Sequence, residues 1–192
     1  MKVIGWTGGI GSGKSTLLSW FRDQGIPCFE SDAVARNLLK GELKQKVSNL
    51  FGNTLYNIEG NLDRAVLAKK VFGNTKALTS LNKIVHPEVL KAFEDFKKDH
   101  HKSPFVINEA AILFETGIYK TCDLVILVKA PKNIRIQRII SRDGVKKEDV
   151  LNRMKHQWSD KKKEQFADYI IENISFEETL YQAANLMNML ND

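Results

Sequence analysis

Residues 8–16 read Gly8-Gly9-Ile10-Gly11-Ser12-Gly13-Lys14-Ser15-Thr16, and they contain the Walker A phosphate-binding spacing G-x-x-x-x-G-K-[ST]. An apolar strand pattern at residues 2–7 precedes this loop, and a helical pattern begins at Leu17. The order strand, glycine-rich loop, helix brings backbone N–H groups and the positive end of the helix to one spot. Because every fixed position and both flanks agree, we prefer this interpretation to a chance match in a tight glycine turn.

The polar positions of the loop each have a chemical use. The glycines let the backbone curl around phosphate oxygens, Lys14 can reach the β- and γ-phosphates, and the Ser15 hydroxyl can ligate Mg²⁺. The sequence therefore predicts a site for a nucleoside triphosphate with Mg²⁺. The residues predicted to contact the nucleotide here are Gly9, Ile10, Gly11, Ser12, Gly13, Lys14, Ser15 and Thr16.

Composition limits the classes of protein to consider. Of the 192 residues, 43% are hydrophobic and 27% are charged, which is ordinary for a globular domain. No apolar run approaches the roughly 20 residues of a membrane span, and no signal peptide is visible, so we expect a cytoplasmic protein without a membrane partner. The net charge of +6 suits nucleotides or nucleic acid. The phosphate loop favours nucleotides, and no basic stripe with stacking aromatics indicates nucleic acid.

The cysteines and histidines show no metal-binding pattern. Cys28 and Cys122 are far apart and lie in or beside apolar stretches, which predicts buried free thiols in a reducing compartment. The four histidines lack the spacing of metal ligands. A zinc site is therefore not expected.

The apolar runs predict five strands, at residues 2–7, 27–30, 104–109, 123–129 and 168–172. The continuous run at 124–128 is typical of a central parallel strand that is covered on both faces. Helical patterns lie between the strands. This alternation predicts an α/β fold, a three-layer sandwich in which a five-stranded parallel sheet has helices on both sides.

Residues that favour the start or the end of a helix occur at several points of this pattern. The first helix should end near Gly25, and Pro131 suits the first turn of the helix after the fourth strand. Ser175 and Glu178 form a capping box that starts the last helix.

Two helical segments interrupt the alternation. Residues 33–101 contain no obvious strand, and His86-Pro87 should mark a break or a new helix start inside them. Residues 144–166 are strongly charged and also helical in pattern. Insertions of this kind between the strands of a small core tend to be substrate-binding regions and lids.

Two carboxylates follow predicted strands at the edge where such sheets bind ligands. Asp32 comes just after the second strand, where it can accept the proton of an attacking hydroxyl or cap the helix that begins at Ala33. Glu109 ends the third strand, where it can hold Mg²⁺ directly or through water, or serve as a structural hydrogen-bond acceptor. The spacing alone leaves both pairs of alternatives open.

Three arginines lie on one face of the helix after the fourth strand. Arg135, Arg138 and Arg142 have the spacing i, i+3, i+7. We expect Arg138 and Arg142 to close over the transferring phosphoryl group, because cationic side chains neutralise its developing charge. Arg135 is interpreted as part of a solvated face.

Six motifs in order extend this picture along almost the whole chain. The segment from Gly5 to Thr16 matches G-L-T-G-G-I-G-S-G-K-S-T with Trp6 as the one change. The further motifs are Glu30-Ser31-Asp32-Ala33-Val34-Ala35-Arg36, Gly60-Asn61-Leu62-Asp63-Arg64, Leu81-Asn82-Lys83-Ile84-Val85-His86-Pro87, Glu109-Ala110-Ala111-Ile112-Leu113-Phe114-Glu115 and Ala167-Asp168-Tyr169-Ile170-Ile171-Glu172-Asn173, with Arg138, Arg142-Asp143-Gly144 and Gln157 between the last two. In these motifs the chain resembles the dephospho-coenzyme A kinase family.

This resemblance implies a reaction and an organisation. The reaction is the transfer of the γ-phosphate of ATP to the 3′-hydroxyl of the ribose in dephospho-coenzyme A, with Mg²⁺ as cofactor. The implied nucleotide-binding core consists of residues 1–32, 103–143 and 167–192. A helical substrate-binding insertion at 33–102 and a helical lid at 144–166 complete the single kinase domain.

The resemblance also implies roles for particular residues. Asp32 is the base, and Arg142 is a lid arginine that contacts phosphate and acts in catalysis with Lys14. Arg138, Arg142 and Asn173 join the loop in the ATP site, with Asn173 near the adenine. The residues implied at the dephospho-coenzyme A site are Asp32, Arg64, His86, Glu109, Leu113 and Phe114.

The chain departs from the family pattern at three positions. Glu30 stands where the family has its first Asp, but Asp32 is retained. Glu109 also replaces an Asp and is one methylene longer, which shifts the geometry of its carboxylate. Ala111 replaces a proline, which loosens the backbone.

Alternative functions are other P-loop kinases for a nucleoside monophosphate or a small alcohol, and a nucleic-acid-binding ATPase. The long helical insertion with Arg64 and His86-Pro87 favours the first interpretation, because a simple nucleoside monophosphate kinase does not need it. The sequence leaves open whether the chain is a monomer or a weak homo-oligomer.

Overall fold

The computed structural model describes residues 1–71 and 73–191, and this part of the chain forms two compact units. The first unit contains Met1–Phe29 and His100–Asp192, and the second contains Glu30–Asp99. The second unit is therefore one uninterrupted segment between two parts of the first. The role of this segment in substrate binding stays a prediction.

A parallel sheet forms the centre of the first unit. Within the described residues its five strands are β1 (Lys2–Gly8), β2 (Cys28–Glu30), β3 (Phe105–Glu109), β4 (Leu124–Lys129) and β5 (Tyr169–Glu172). They lie in the order β2-β3-β1-β4-β5. β1 pairs in parallel with β3 and β4, and β4 pairs in parallel with β5. All five predicted strands are confirmed, each with a shift of one residue at one end.

Helices fill most of the remaining chain. In chain order they are α1 (Lys14–Asp23), α2 (Ser31–Lys40), α3 (Lys44–Phe51), α4 (Arg64–Val71), α5 (Thr75–Asp99), α6 (Lys132–Asp143), α7 (Lys147–Lys155), α8 (Asp160–Glu164) and α9 (Phe176–Asn191). Short 3₁₀ turns lie at Asn53–Leu55 and Ile118–Thr121. The charged segment 144–166 thus contains α7 and α8, as its helical pattern predicted.

Both faces of the sheet are covered, because successive residues of a strand point to opposite sides. On one face Trp6 of β1 is completely buried in a core that also contains Phe21 of α1 and Leu186 of α9. On the other face Val125 of β4 packs with Leu113. The predicted three-layer α/β arrangement is therefore confirmed.

The second unit is a helical assembly with its own core. Within residues 33–71 and 73–101 no strand is formed, as the sequence predicted. Asp63 starts α4, because its Oδ1 accepts hydrogen bonds from the N–H groups of Ala65 (2.9 Å) and Val66 (3.0 Å). The core residues of this unit are Leu43, Val47, Leu55, Leu67, Val71, Leu81 and Val85.

Most of the predicted helix ends lie where the sequence placed them. The N–H of Gly25 donates to the carbonyl of Arg22 just after α1 ends, at 2.9 Å. The N–H of Glu178 donates to the Ser175 hydroxyl at 3.2 Å, which confirms the cap of α9. Pro131 is the N-cap of α6, one position before the predicted first turn.

The predicted break at His86-Pro87 is wrong, because α5 runs through Pro87 without interruption. Proline removes one backbone hydrogen bond and leaves the carbonyl of Lys83 without its helical partner. Both Lys83 and Pro87 are exposed, so water can satisfy that carbonyl. Buried contacts on either side of the proline, from Val85 and Phe93, hold the helix together.

Candidate active site

The loop after β1 forms an anion-binding turn at the start of α1. Gly13 has φ 89° and ψ 11°, a left-handed conformation that is costly for any residue with a side chain. A Cβ at this position would also overlap the side chain of Asn173. Within the described residues, the first turn of α1 has no capping side chain and no acidic residue. An anion therefore meets the positive end of the helix without competition from that turn.

The loop residues predicted to bind ATP take two positions. Ser12 is completely buried behind the loop, where its N–H donates to the carbonyl of Gly9 at 2.9 Å. Ser15 and Thr16 are exposed in the first turn of α1. The remaining predicted residues are Gly9, Ile10, Gly11 and Gly13 in the loop, and Lys14, which begins α1.

The sheet order places a ligand crevice next to this loop. β1 leads to β2 on one side of the sheet, whereas β3 leads to β4 on the other side. Ligands of open parallel sheets bind at the carboxyl ends of strands where the connections diverge in this way. The crevice between β1 and β3 thus receives Lys14, which follows β1, and Glu109, which ends β3.

Lys14 and Glu109 form an ion pair in this crevice. Lys14 Nζ lies 2.5 Å from Glu109 Oε1, and the two side chains are only 16% and 5% exposed. The register of the sheet brings them together, because Glu109 pairs with Trp6 and the Trp6 indole N–H donates to the carbonyl of Lys14 at 3.1 Å. The sequence left two roles open for Glu109, a magnesium ligand or a structural hydrogen-bond acceptor. In the structure its carboxylate is paired with the loop lysine.

Asn173 and Arg138 support the loop from behind. The Asn173 side-chain amide donates to the carbonyl of Ser12 at 2.8 Å, and Asn173 is nearly completely buried. Arg138 donates to the carbonyl of Asn173 at 3.2 Å. The structure thus brings two of the predicted ATP-site residues to the loop. Their predicted contacts with the nucleotide stay predictions.

The interpretation of Arg135 as part of a solvated face is wrong. Its side chain is only 8% exposed and forms an ion pair of 2.7 Å with Asp160 Oδ2. Its Nε also donates to the carbonyl of Ile10 in the loop at 2.9 Å. Helical spacing could not reveal this, because both partners lie far from Arg135 in the sequence.

Arg142 lies at the exposed end of α6, where its side chain is 64% exposed. Its Nε donates to Asp143 Oδ1 at 2.7 Å, and Arg153 donates to the other oxygen of the same carboxylate at 3.0 Å. The hydrogen bond with Arg142 lowers the pKa of Asp143 and raises the pKa of Arg142. Arg142 is therefore held by Asp143 in this structure, and its contact with phosphate stays a prediction.

Leu113 and Phe114, implied at the dephospho-coenzyme A site, are both buried. They form a small cluster with Ala110 and Val125 beyond the end of β3. Trp158 packs against this cluster, and its ring is parallel to that of Phe114 with centroids 6.5 Å apart. Their predicted role at a substrate surface stays a prediction.

Asp32, Arg64 and His86 lie in the second unit. Asp32 is half-buried in the first turn of α2, whose N-cap is Glu30. The alternative that Asp32 is an N-cap is therefore wrong, although a carboxylate in the first turn still interacts favourably with the helix dipole. His86 is exposed on α5. Arg64 is the first residue of α4, and its side chain lies outside the described part of the chain.

Three polar residues, one of them buried and two half-buried, were missed as site residues. Lys163 is completely buried, with Nζ 3.3 Å from Glu115 Oε1. Gln157 donates to the carbonyl of Ala111 at 3.2 Å and accepts from the N–H of Ile10 at 2.8 Å. Glu115 and Gln157 both occur in the motifs that carry the family resemblance, and this was the available signal.

Cys28 and Cys122 are free thiols, as predicted, but they are half-buried rather than buried. Burial raises the pKa of the Cys122 thiol to about 11, so it is a neutral packing group at ordinary pH. Among the residues that the structure describes, no cluster of three or more His, Cys, Asp or Glu side chains could hold a metal ion. In the same part of the chain, no helix is long and apolar enough to cross a membrane.

The fold and the loop define a class of protein: the P-loop kinases. A shikimate kinase from Bacteroides thetaiotaomicron shares this fold, with a TM-score of 0.51 at 11% identity over 100% of this chain and 99% of that chain. Within this class the chain belongs to the dephospho-CoA kinase family, whose sequence model, described as "Dephospho-CoA kinase", matches residues 2–178.

Individual relatives agree over nearly the full length. The dephospho-CoA kinase of Aquifex aeolicus is 37% identical, over 99% of this chain and 98% of its own. That of Fusobacterium nucleatum is 34% identical, over 94% and 93%. A crystal structure of a Thermus thermophilus protein has a TM-score of 0.89 at 32% identity, over 98% and 96%. The dephospho-CoA kinase structure from Campylobacter jejuni has a TM-score of 0.70 at 25% identity, over 97% and 95%.

Proposed function

We propose that this chain transfers the γ-phosphate of ATP to the 3′-hydroxyl of the ribose in dephospho-coenzyme A, yielding coenzyme A and ADP. Membership of the dephospho-CoA kinase family supports this reaction. The observation that carries it on the chemical side is the Lys14–Glu109 pair in the crevice between β1 and β3. The pair supports this reaction, because P-loop kinases bind their nucleotide in such a crevice and use the loop lysine as a cation for phosphate.

Charge neutralisation and positioning carry the reaction. The γ-phosphoryl group passes through a loose transition state with negative charge on its equatorial oxygens. Lys14 and the N-terminus of α1 stabilise that charge. The Lys14 ammonium and the N–H groups at the start of the helix are already in position before the reaction starts. Lys14 must exchange Glu109 for phosphate oxygens in this step. Glu109 remains beside it as a buried carboxylate.

The donor groups at the loop suit Mg²⁺. The Ser15 hydroxyl is exposed in the first turn of α1, and Mg²⁺ prefers a few protein oxygens together with water and phosphate oxygens over a cage of protein ligands. Ser15 would hold the ion, and Glu109 is a further carboxylate that could act on it through water. When bound, Mg²⁺ supplies further neutralisation of phosphate charge.

Asp32 is the proposed base, and Arg142 is the proposed lid arginine. A carboxylate can orient the ribose hydroxyl and accept its proton late in the transfer. Arg142 would leave Asp143 and bind phosphate as residues 144–166 close as a lid. Arg64, His86, Leu113 and Phe114 are proposed to bind dephospho-coenzyme A, which residues 33–102 would help to enclose. The cytoplasmic location and a monomer or weak oligomer stay predictions.

A coupled assay of ADP release tests this function directly. The protein is incubated with ATP, Mg²⁺ and one acceptor at a time: dephospho-coenzyme A, AMP, CMP or shikimate. We expect ADP release only with dephospho-coenzyme A, and a product with the mass of coenzyme A. Release with another acceptor, or with none of the four, would contradict the proposal.

A further inference from the structure

Both backbone groups of Ile10 in the phosphate-binding loop are bonded to side chains from much later in the chain. Gln157 Oε1 accepts from the Ile10 N–H at 2.8 Å, and Arg135 Nε donates to the Ile10 carbonyl at 2.9 Å. These side chains are themselves fixed. Gln157 Nε2 donates to the carbonyl of Ala111 at 3.2 Å, and Arg135 Nη1 donates to Asp160 Oδ2 at 2.7 Å.

The guanidinium group of Arg135 also supports the neighbouring glycine. A Cβ on Gly9 would lie 2.5 Å from Arg135 Cζ, so the loop backbone rests directly on the flat guanidinium. Only a glycine permits this close approach. The Arg135 side chain is nearly completely buried, and its ion pair with Asp160 keeps the plane of the group in place.

The side chain of Ile10 connects the loop to α7. Ile10 packs against a cluster formed by Ile136 and Ile139 of α6 and Val150 of α7. Gln157 follows the end of α7 by two residues. The Ile10 side chain therefore joins a cluster of α6 and α7 residues, and its backbone bonds to Gln157 in the segment after α7.

We propose that Gln157 and Arg135 are positioning residues that hold Ile10 and thereby set the shape of the phosphate-binding loop. The Ile10 N–H serves this purpose rather than phosphate binding, because Gln157 occupies it. Because Ile10 packs against the cluster that contains Val150 of α7, the position of the proposed lid is linked to phosphate affinity. This inference rests on the proposed function in requiring that the loop binds polyphosphate and, for the link to α7, that residues 144–166 form the lid.

The test compares two glutamines of one segment. Gln157→Met keeps the size of the side chain and removes both hydrogen bonds. Gln165→Met makes the same change at an exposed position after α8 and serves as the matched control. Binding of tripolyphosphate, ATP and adenosine is measured by titration calorimetry for each variant. Thermal unfolding and steady-state kinetics are measured on the same samples.

We expect Gln157→Met to weaken the binding of tripolyphosphate and ATP about tenfold, the order of magnitude for losing two part-buried hydrogen bonds. Adenosine affinity should change less than about twofold, since adenosine carries no phosphate for the loop to bind. kcat/KM for ATP should fall while KM for dephospho-coenzyme A stays constant. Gln165→Met should match the wild type in all of these measurements.

If Gln157 has a purely structural role, the variant should have a lower unfolding temperature with unchanged phosphate affinity, or should bind adenosine and tripolyphosphate with equally reduced affinity. Either result would overturn the inference. Arg135→Lys provides a second test, because it keeps the positive charge but replaces the planar guanidinium, whose Nε and Nη1 bond separately to Ile10 and Asp160, with a single nitrogen. This variant should also bind tripolyphosphate about tenfold more weakly. Because tripolyphosphate binding needs no acceptor, a wild type that fails to phosphorylate dephospho-coenzyme A would refute the proposed function alone.

Discussion

Lys14 Nζ and Glu109 Oε1 lie 2.5 Å apart, so the lysine of the phosphate-binding loop is neutralised by a carboxylate of the same protein. Both side chains are largely removed from solvent, and the interaction is therefore weakly screened. A phosphate that binds Lys14 must compete with this carboxylate. The pair thus sets part of the nucleotide affinity and part of the stability of the fold.

Removing the charge of Glu109 should strengthen binding of a nucleotide without metal. In Glu109→Gln the competing carboxylate is gone, and the negative potential in the crevice falls. We expect the affinity for ADP without Mg²⁺ to rise about tenfold, which corresponds to about 1.4 kcal/mol. Turnover should fall, because the proposed role of Glu109 beside Mg²⁺ needs a carboxylate. Calorimetry in the presence of a chelator measures the first effect, and steady-state kinetics the second.

Glu109→Asp is the matched control, since it keeps the charge and restores the shorter side chain of the family pattern. Its affinity for metal-free ADP should lie within a few-fold of the wild type. Weaker ADP binding by Glu109→Gln than by Glu109→Asp would show that the carboxylate does not compete with phosphate.

Lys14→Met, compared with a double variant, should distinguish the effect of Lys14 on the free energy of unfolding from its effect on ATP affinity. The variant leaves Glu109 buried without its cation, which should lower the free energy of unfolding by about 3–5 kcal/mol. The double variant Lys14→Met with Glu109→Gln removes both charges and should recover most of that loss. Both variants should lack measurable ATP affinity, because neither has the loop cation. Urea unfolding and calorimetry check the two expectations, and recovery of ATP binding in the double variant would argue against Lys14 as a phosphate ligand.

The sheet and the loop were predictable because their signals are local. The apolar run of β4 identifies a central parallel strand by itself. The glycines and Lys14 have the Walker A spacing, which indicates phosphate binding. The Ser175 cap is likewise a contact over three residues. These elements need no information about what lies elsewhere in the fold.

The support of the loop was not predictable because its contacts are distant in sequence. Arg135 bonds to Ile10, 125 residues away, so its helical spacing looked like that of a solvated face. The predicted break at Pro87 was wrong because it relied on a local rule alone. A local rule forbids it in a helix, but packing of Val85 and Phe93 outweighs one lost hydrogen bond.

Asp32→Asn should separate catalysis from nucleotide binding. Loss of a general base lowers turnover by about 10²–10⁴-fold, whereas the loop and Lys14 are unchanged, so ATP affinity should be retained. Asp95→Asn is the matched control, because it makes the same change at an exposed position of α5. Steady-state kinetics with dephospho-coenzyme A checks the rate, and calorimetry checks the affinity. Turnover within a few-fold of the wild type would remove Asp32 from the role of base.

Lys163 offers a pH dependence whose sign can be worked out. Its side chain is completely buried beside Glu115, and burial lowers the pKa of Lys163 below its ordinary value of 10.5. Between the lowered pKa and 10.5, the unfolded chain binds more protons than the folded one. Stability from this group therefore rises with pH across that window.

Comparison with Lys163→Met isolates this effect from the titration of other lysines. The free energy of unfolding of the wild type minus that of the variant should increase as the pH rises from 7 towards 10.5. Urea unfolding at a series of pH values gives this difference. Lys161→Met, an exposed neighbour, should show no such trend. A difference that stays constant or falls with pH would mean that the buried ammonium of Lys163 is stabilised by Glu115 more than burial destabilises it.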